Sequence, residues 1–225
     1  MAADDAQAYY LKQIGVHTPL PPSPARNEQT VAPSPEVSHE PATLQDLARD
    51  AAGCVVCPLS EERTQVVFGV GNPNADLVFI GEAPGRDEDL KGEPFVGRAG
   101  RLLDRMLVGL GLDRTSVYIM NVVKCHPSNN RDPRPEEIEA CSRWFDAQLR
   151  LLSPKVICVL GRVAAQSLLE TDAPLGSLRG RWHEYHDVPV WVTYHPAYLL
   201  RSPHQKARAW EDLRSLQKRC MASGD

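Results

Sequence analysis

The sequence predicts an α/β domain in which a four-stranded parallel sheet is flanked by helices. This prediction rests on four short runs of residues, each of them continuously apolar, and on the helical periodicity of the segments between them. Strands that are apolar at every position are buried on both faces, as in parallel sheets covered by helices. Strands that alternate with helices form βαβ units, whose connections make neighbouring strands parallel.

The individual elements follow from the spacing of apolar residues. The four predicted strands are Leu77–Ile80, Val117–Met120, Val156–Leu160 and Val190–Thr193. Helices are predicted where apolar residues recur three and four positions apart, since that spacing lines one helix face. The four predicted helices are Ala99–Leu110, Pro135–Leu152, Arg162–Leu169 and Gln205–Gln217.

The N-terminal part of the chain differs in composition from the rest. Residues 18–43 hold seven prolines and almost no large apolar residues, so they cannot bury enough surface to offset the entropy of ordering. We therefore expect a disordered tail over residues 1–43 and a folded domain over residues 44–225. Residues 6–16 have the pattern of a short helix, which is either a docking motif for a protein partner or, as we favour, a terminus without function.

Composition excludes several classes of protein. The 225 residues contain no run of eighteen apolar residues, which excludes a membrane span. The N-terminus lacks the features of a signal peptide, and six cysteines without an export signal predict a cytoplasmic protein with reduced thiols. The net charge of -4 comes from residues 1–50, with seven acids and three bases, so the remainder is neutral. A neutral body neither supports nor excludes binding of DNA.

Polar residues follow three of the predicted strands at the point where each strand ends. Glu82 follows the first strand, Asn121 the second and His195 the fourth. Ligands of open parallel sheets bind beyond the carboxyl ends of the strands. The sequence therefore predicts that an acid, an amide and an imidazole meet in one site, although such residues also cap helices.

Four cysteines form a second pattern. Cys54 and Cys57 are separated by two residues, and Cys125 and Cys141 follow with fifteen residues between them. Four thiolates can bind one zinc ion or a [4Fe–4S] cluster, and spacing alone does not separate the two. Cys158 and Cys220 lie outside this pattern, within a predicted strand and near the C-terminus.

Three segments carry a resemblance to a known family. Residues 81–104 (GEAPGRDEDLKGEPFVGRAGRLLD), 121–133 (NVVKCHPSNNRDP) and 195–201 (HPAYLLR) resemble the family 4, iron–sulfur uracil-DNA glycosylases. The resemblance covers roughly residues 44–219 and includes the four-cysteine pattern. It implies a four-stranded parallel sheet between helices, a [4Fe–4S] cluster on the four cysteines, and hydrolysis of the N-glycosidic bond of deoxyuridine in DNA. The product is then an abasic site, and we expect the enzyme to be a monomer.

The resemblance also implies roles for individual residues around the base. Asn121 matches the asparagine that reads the Watson–Crick edge of uracil, and Phe95 matches the aromatic residue that stacks on the base. His195 matches the histidine that donates a hydrogen bond to O2 as charge builds on the leaving uracil. Gly81 and Ala83 match residues of the pocket wall.

One departure concerns the attacking water. The best-known uracil-DNA glycosylases carry a GQDPYH motif, and Ala83 and Gly85 stand here at the positions of its aspartate and tyrosine. Another polar group must then orient the water, and the candidates are Glu82, Glu88 and Asn130. Glu82 and Glu88 also match residues that line the pocket in the family, and Glu88 is in addition a candidate for crowding the 5-position of thymine.

The same resemblance implies contacts with DNA. The segment 195–201 is expected to press into the minor groove at the lesion, with Tyr198 or Leu199 as the wedge that fills the gap left by the flipped base. Arg201 would then lie near a phosphate.

Three other interpretations of the protein's function remain to be weighed. A non-catalytic nucleic-acid-binding module with a structural zinc site explains the cysteines but leaves Glu82, Asn121 and His195 without a role. A relative that becomes covalently trapped on its product is disfavoured, because residues 125–130 contain no basic insertion. A hydrolase with a metal-bound water is disfavoured because four cysteines would fill the coordination sphere of the metal.

Overall fold

A computed structural model describes residues 43–222, which all belong to the unit spanning His39–Asp225. The predicted tail over residues 1–43 lies outside the described residues except for Thr43. Thr43 is the N-cap of the first helix, and its hydroxyl oxygen accepts a hydrogen bond from the backbone N–H of Asp46 at 3.1 Å. Such a cap satisfies one of the free N–H groups of the first turn. None of the helices in this part of the chain combines the length and apolar character needed to cross a membrane.

Within residues 43–222, one mixed sheet contains six strands in the order β1-β3-β2-β4-β6-β5. The strands are β1 Val70–Gly71, β2 Leu77–Gly81, β3 Tyr118–Asn121, β4 Val156–Leu160, β5 Trp182–Tyr185 and β6 Val188–Thr193. The four predicted strands correspond to the four central ones, β3, β2, β4 and β6, and these are parallel.

The predicted strand number of four is therefore wrong, because two edge strands were missed. β1 pairs with β3 and β5 pairs with β6, both antiparallel. β1 has only two residues, and β5 is only partly buried, so neither carries the continuous apolar pattern of the central strands. Edge strands are exposed on one side, and sequence patterns detect them less well for that reason.

Nine α-helices occur within the same residues. They are α1 Leu44–Ala52, α2 Leu59–Glu62, α3 Arg86–Lys91, α4 Arg98–Gly109, α5 Pro135–Leu152, α6 Arg162–Leu168, α7 Leu175–Leu178, α8 Pro196–Arg201 and α9 Lys206–Ala222. The four predicted helices correspond to α4, α5, α6 and α9, although α9 continues five residues beyond the predicted end. The other five have four to nine residues, which is too short for a clear helical period.

The two faces of the sheet support separate apolar cores. Val78 and Ile80 of β2 face a cluster that includes Trp144 and Phe145 of α5. Phe79, which lies between them, faces a second cluster formed with α4 and α9. Alternate residues of a strand point to opposite faces, so this arrangement buries both faces, as the sequence predicts.

The carboxyl ends of the parallel strands meet at one edge. Gly81 at the end of β2 lies opposite Asn121 at the end of β3, and Leu160 of β4 lies opposite Thr193 of β6. The segments that follow these strands therefore start side by side.

Candidate active site

A cavity of about 540 Å³ opens at this edge of the sheet. Most of the residues predicted for the site line it: Glu82, Ala83, Glu88, Phe95, Asn121, Asn130, His195, Tyr198 and Arg201. The cavity is also lined by Asp132 and Arg162, which were not among the predicted site residues. Gly81 and Leu199 do not line it.

Asn121 forms the polar floor of the cavity. Its side chain is 2% exposed, and Oδ1 has no hydrogen-bond partner. A buried polar atom without a partner costs free energy unless a ligand satisfies it. The amide can therefore bind a group that presents a donor and an acceptor side by side.

Gly81 makes room for Asn121 and Phe95. A Cβ on Gly81 would lie 2.4 Å from Asn121 Oδ1 and 2.7 Å from Phe95 Cζ. Both distances are shorter than any real van der Waals contact, so a side chain at this position would displace the amide and the ring. Gly81 thus shapes the cavity from behind without lining it.

Phe95 is held in an unusual backbone conformation. Its φ is 55°, in the left-handed region that non-glycine residues rarely adopt. The guanidinium of Arg114 donates hydrogen bonds to the carbonyl oxygens of Pro94 and Phe95 and so fixes this turn. Strained residues of this kind persist where the surrounding structure determines them, often at functional sites.

The carboxylate of Glu88 organises the same loop. Oε1 accepts hydrogen bonds from the backbone N–H groups of Val96 at 2.9 Å and Gly97 at 3.0 Å, and Oε2 accepts one from Gly85 at 3.1 Å. Both oxygens are therefore used to join the start of α3 to the loop that carries Phe95.

His195 lies beside Phe95, with ring centroids 5.5 Å apart. Its Nδ1 accepts a hydrogen bond from the backbone N–H of Ala197 at 3.1 Å. Burial, and to a lesser degree the positive charge of Arg201, lower the pKa of His195 to about 4. The imidazole is therefore neutral near pH 7, and since Nδ1 accepts a hydrogen bond, its proton is on Nε2.

Glu82 lines the cavity with a carboxyl group whose pKa is shifted. Burial raises its pKa to about 7, with the negative charge of Asp132 as the next cause, and the positive charge of Arg162 opposes the shift. Perturbed groups of this kind in a cleft are candidates for acid–base chemistry. Asn130, by contrast, uses Oδ1 to accept a hydrogen bond from the backbone N–H of Arg86 at 3.3 Å and lies 3.1 Å from His126 Nε2.

The two residues predicted as wedge candidates have different environments. Tyr198 lines the cavity, and its ring stacks on that of Tyr194 at 5.4 Å between centroids. Leu199 is 1% exposed and belongs to the core under α4 and α9. Arg201, at the end of α8, is exposed.

The four predicted cysteine ligands lie in one region, at the apolar cluster that contains Trp144 and Phe145. Cys54 and Cys57 are partly buried against the cluster that contains the buried Cys125 and Cys141, and their thiols are close enough to interact electrostatically. Arg63 Nη1 donates to Cys125 Sγ at 3.2 Å, and the backbone N–H of Lys124 donates to Cys141 Sγ at 3.3 Å. Across residues 43–222, no group of three or more histidine, cysteine or carboxylate side chains is arranged to hold a metal ion.

Lys124 connects the cysteine region to the cavity and is not among the site residues predicted from the sequence. Its side chain is 1% exposed, and Nζ donates to the backbone carbonyl of Asn121 at 2.7 Å and to Gln148 Oε1 at 2.5 Å. A buried lysine is rare unless it is paired. The position of Lys124 directly before Cys125 and three residues after Asn121 was the available signal.

Comparisons with known proteins identify the family to which this chain is similar. The family model described as "Uracil DNA glycosylase superfamily" matches residues 68–214. A type-4 uracil-DNA glycosylase of Archaeoglobus fulgidus is 45% identical over 186 residues, which cover 79% of this chain and 94% of that protein. A type-4 uracil-DNA glycosylase of Thermotoga maritima is 44% identical over 157 residues, which cover 69% of this chain and 82% of that protein. One of Sulfurisphaera tokodaii is 40% identical over 185 residues, covering 78% and 84%.

Proposed function

The chain belongs to the uracil DNA glycosylase superfamily and to its type-4 family, and from this premise we propose how its cavity removes uracil from DNA. The protein hydrolyses the N-glycosidic bond of deoxyuridine, releases uracil and leaves an abasic site. The observation that carries this function is the unpartnered Oδ1 of Asn121 at the floor of a cavity that also contains Phe95 and His195. The family predicted from the sequence is thus confirmed.

Asn121 reads the flipped base. Uracil presents N3–H as a donor and O4 as an acceptor, and the side-chain amide offers Oδ1 and an NH2 group to match them. Cytosine presents the opposite pattern at these two positions, so the same amide discriminates against it. Phe95 lies against Asn121 across Gly81, which supports a stacking role for its ring.

His195 stabilises the leaving group. As the bond between C1′ and N1 breaks, negative charge builds on uracil, largely at O2. A neutral imidazole with its proton on Nε2 donates a hydrogen bond to that oxygen, and the hydrogen bond from Ala197 to Nδ1 supports this tautomer. Since burial lowers the pKa of His195 to about 4, the donor is neutral throughout the physiological pH range.

Glu82 orients the attacking water. Of the three candidates, Glu88 uses both oxygens for backbone N–H groups and Asn130 uses Oδ1 for Arg86. Glu82 lines the cavity and titrates near pH 7, which suits a group that must accept a proton in this range. The hydrogen bonds of Glu88 instead support a role in holding the Phe95 loop.

The segment 195–201 contacts the DNA around the flipped nucleotide. Tyr198 is the better candidate for the wedge because it lines the cavity, whereas Leu199 is buried in the core. Arg201 is exposed and supplies positive charge for a phosphate. The substrate is uracil-containing DNA, single- or double-stranded.

Cys54, Cys57, Cys125 and Cys141 hold a [4Fe–4S] cluster, which when bound supplies folding energy rather than chemistry in the cavity. The donor set fits this group, because the cysteines of a cluster bind separate iron atoms and need not converge on one point. Burial raises the pKa of the Cys125 and Cys141 thiols, and the hydrogen bonds that Arg63 and the backbone N–H of Lys124 donate to these two sulfur atoms oppose that rise. The non-catalytic zinc module is disfavoured by the cavity residues, and a zinc site would be colourless where an iron–sulfur cluster is brown.

The remaining properties rest on the sequence. We expect a cytoplasmic monomer, with residues 1–43 as a tail that does not contribute to the cavity. If the tail matters, it acts through a protein partner.

Release of free uracil from a uracil-containing oligonucleotide tests the proposed function. We expect uracil in solution and strand cleavage only after alkaline treatment, with no release from a matched oligonucleotide that contains thymine. Binding of uracil-DNA without release would instead support a non-catalytic module.

A further inference from the structure

Asp132 and Arg162 meet at the cavity beside Glu82, although they lie 30 residues apart in the chain. Asp132 precedes α5, and Arg162 is the first residue of α6. Arg162 Nη2 donates a hydrogen bond to Asp132 Oδ2 at 2.7 Å. Arg162 Nη1 donates to Gln166 Oε1 at 2.9 Å, so the guanidinium is held from two sides.

Glu82 and Asp132 line the same part of the cavity, and the negative charge of Asp132 raises the pKa of Glu82. Two neighbouring carboxyl groups resist being charged at the same time, so each holds its proton more readily than it would alone. Arg162 contacts Asp132 directly, and its positive charge opposes this effect on Glu82.

We propose that Asp132 is a positioning residue for the glycosylase reaction, coupling Glu82 to Arg162 so that the charge on Glu82 depends on both neighbours. This inference rests on the proposed function of Glu82. In that step the water oxygen forms a bond to C1′, the C1′–N1 electron pair leaves with uracil, and a proton of the water passes to the Glu82 carboxylate. Only the deprotonated form of Glu82 can accept that proton.

The charges around Glu82 act in opposite directions. Asp132 raises the pKa of Glu82 and Arg162 lowers it, while burial contributes the largest increase. The rate should accordingly rise with pH through about 7 as Glu82 loses its proton. The other titratable or charged groups around the cavity are Glu88, His126, Arg131, His195, Tyr198 and Arg201. Among these, His195 is excluded as the source of a limb near pH 7, because its pKa is lowered to about 4.

Single-turnover rates of uracil release, measured on a single-stranded oligonucleotide from pH 5 to pH 9, test the coupling. Asp132→Asn removes the negative charge and should move the acid limb of the profile to lower pH by about one unit. At pH values below the limb, one unit corresponds to about a tenfold faster rate relative to the plateau. Arg162→Gln should move the limb to higher pH and slow the reaction at pH 6.

The opposite direction of the two shifts separates coupling from a structural role. If the ion pair only fastened α6 to the loop before α5, losing either partner would have the same effect. The matched control is the exposed pair of Lys155 and Asp76, whose atoms are 3.1 Å apart, and Asp76→Asn should leave the limb unchanged. Glu82→Gln should remove the limb altogether.

Each result bears on one claim. Failure of the unmodified protein to release uracil at any pH would overturn the proposed function. Three other outcomes would overturn the coupling and leave the proposed function standing. The acid limb could stay at the same pH in Asp132→Asn and Arg162→Gln, it could shift in the same direction in both variants, or it could persist in Glu82→Gln.

Discussion

Lys124 Nζ donates a hydrogen bond to the backbone carbonyl of Asn121 at a distance of 2.7 Å. The residue proposed to read the base is thus held in place by a buried amine, whose pKa burial lowers to about 7. The amine also donates to Gln148 and lies about equally far from the rings of Phe68 and Phe145. The backbone N–H of Lys124 donates to Cys141 Sγ. One residue therefore connects Asn121 to the cysteine region.

Lys124→Met should destabilise the protein and weaken its discrimination of uracil. The carbonyl of Asn121 and Gln148 Oε1 would each lose a donor, and a buried acceptor without a partner costs about 1–3 kcal/mol. Urea unfolding measures this loss, and single-turnover uracil release measures the effect on the site. Lys155→Met, which removes an exposed lysine paired with Asp76, is the control and should change the free energy of unfolding by less than about 0.5 kcal/mol. Equal effects of the two variants would contradict a supporting role for Lys124.

Asn121→Asp should impair recognition of uracil. A carboxylate has no NH2 group to donate to O4 and repels that oxygen, which costs about 1–3 kcal/mol, or roughly one to two decades in rate. The measurement is the single-turnover rate on uracil-DNA, and a trace of cytosine release is also expected because N4 of cytosine is a donor. Asn74→Asp, in an exposed turn, should keep the normal rate. A normal rate for Asn121→Asp would show that the amide does not read the base.

His195→Ala should lower the rate of bond cleavage much more than the affinity for DNA. Removal of a donor that acts on charge present only in the transition state typically costs about 2.7–4 kcal/mol, on the order of a hundred- to a thousandfold. Because the pKa of His195 is lowered to about 4, the imidazole is neutral above about pH 5, and the rate ratio between normal and variant protein should stay constant from pH 6 to pH 9. His183→Ala, outside the cavity, serves as the control. Weak binding with normal cleavage of bound DNA would assign His195 to DNA positioning instead.

Gly81→Ala should close the cavity from behind while most of the fold persists. The added methyl group would meet Asn121 Oδ1 and Phe95 Cζ at distances below 3 Å, so either the amide or the ring must move. We expect the rate of uracil release to fall at least tenfold, with DNA affinity retained. Gly176→Ala, where no atom lies within 4 Å of the new methyl group, is the matched control. Unchanged activity of Gly81→Ala would show that this wall is free to adjust.

Cys125→Ala should lose the iron–sulfur cluster and, with it, the brown colour and much of the stability, because binding of the cluster is coupled to folding. Cys158→Ala is the control, since Cys158 is buried in β4, away from the four-cysteine region. That variant should keep its iron and lose only packing energy. Iron analysis and visible spectra of anaerobically purified protein distinguish the two. Iron well below four per chain in the unmodified protein, or stoichiometric zinc, would contradict the assignment of the cofactor.

Much of the fold could be predicted because its main signals are local. The central strands, Leu77–Gly81 among them, are apolar at every position, and α5 carries its period over eighteen residues. Asn121 and His195 could be predicted as site residues because parallel strands bring their carboxyl ends to one edge, whatever the details of packing. The cysteines were visible as a spacing pattern.

The sequence by itself therefore determined the four central strands, four of the flanking helices, and the edge of the sheet at which the cavity forms. Only the tertiary structure decided how the neighbours of those residues act on them. The proximity of Asp132 and Arg162 to Glu82, and of Lys124 to Asn121, depends on side-chain contacts between elements distant in the chain or on burial that no local period reports. The left-handed turn at Phe95 likewise depends on Arg114, and the edge strand β1 depends on β3, both of which lie elsewhere in the sequence. Periodicity records which face of an element is buried, whereas pKa values and cavity shape depend on what lies across from it.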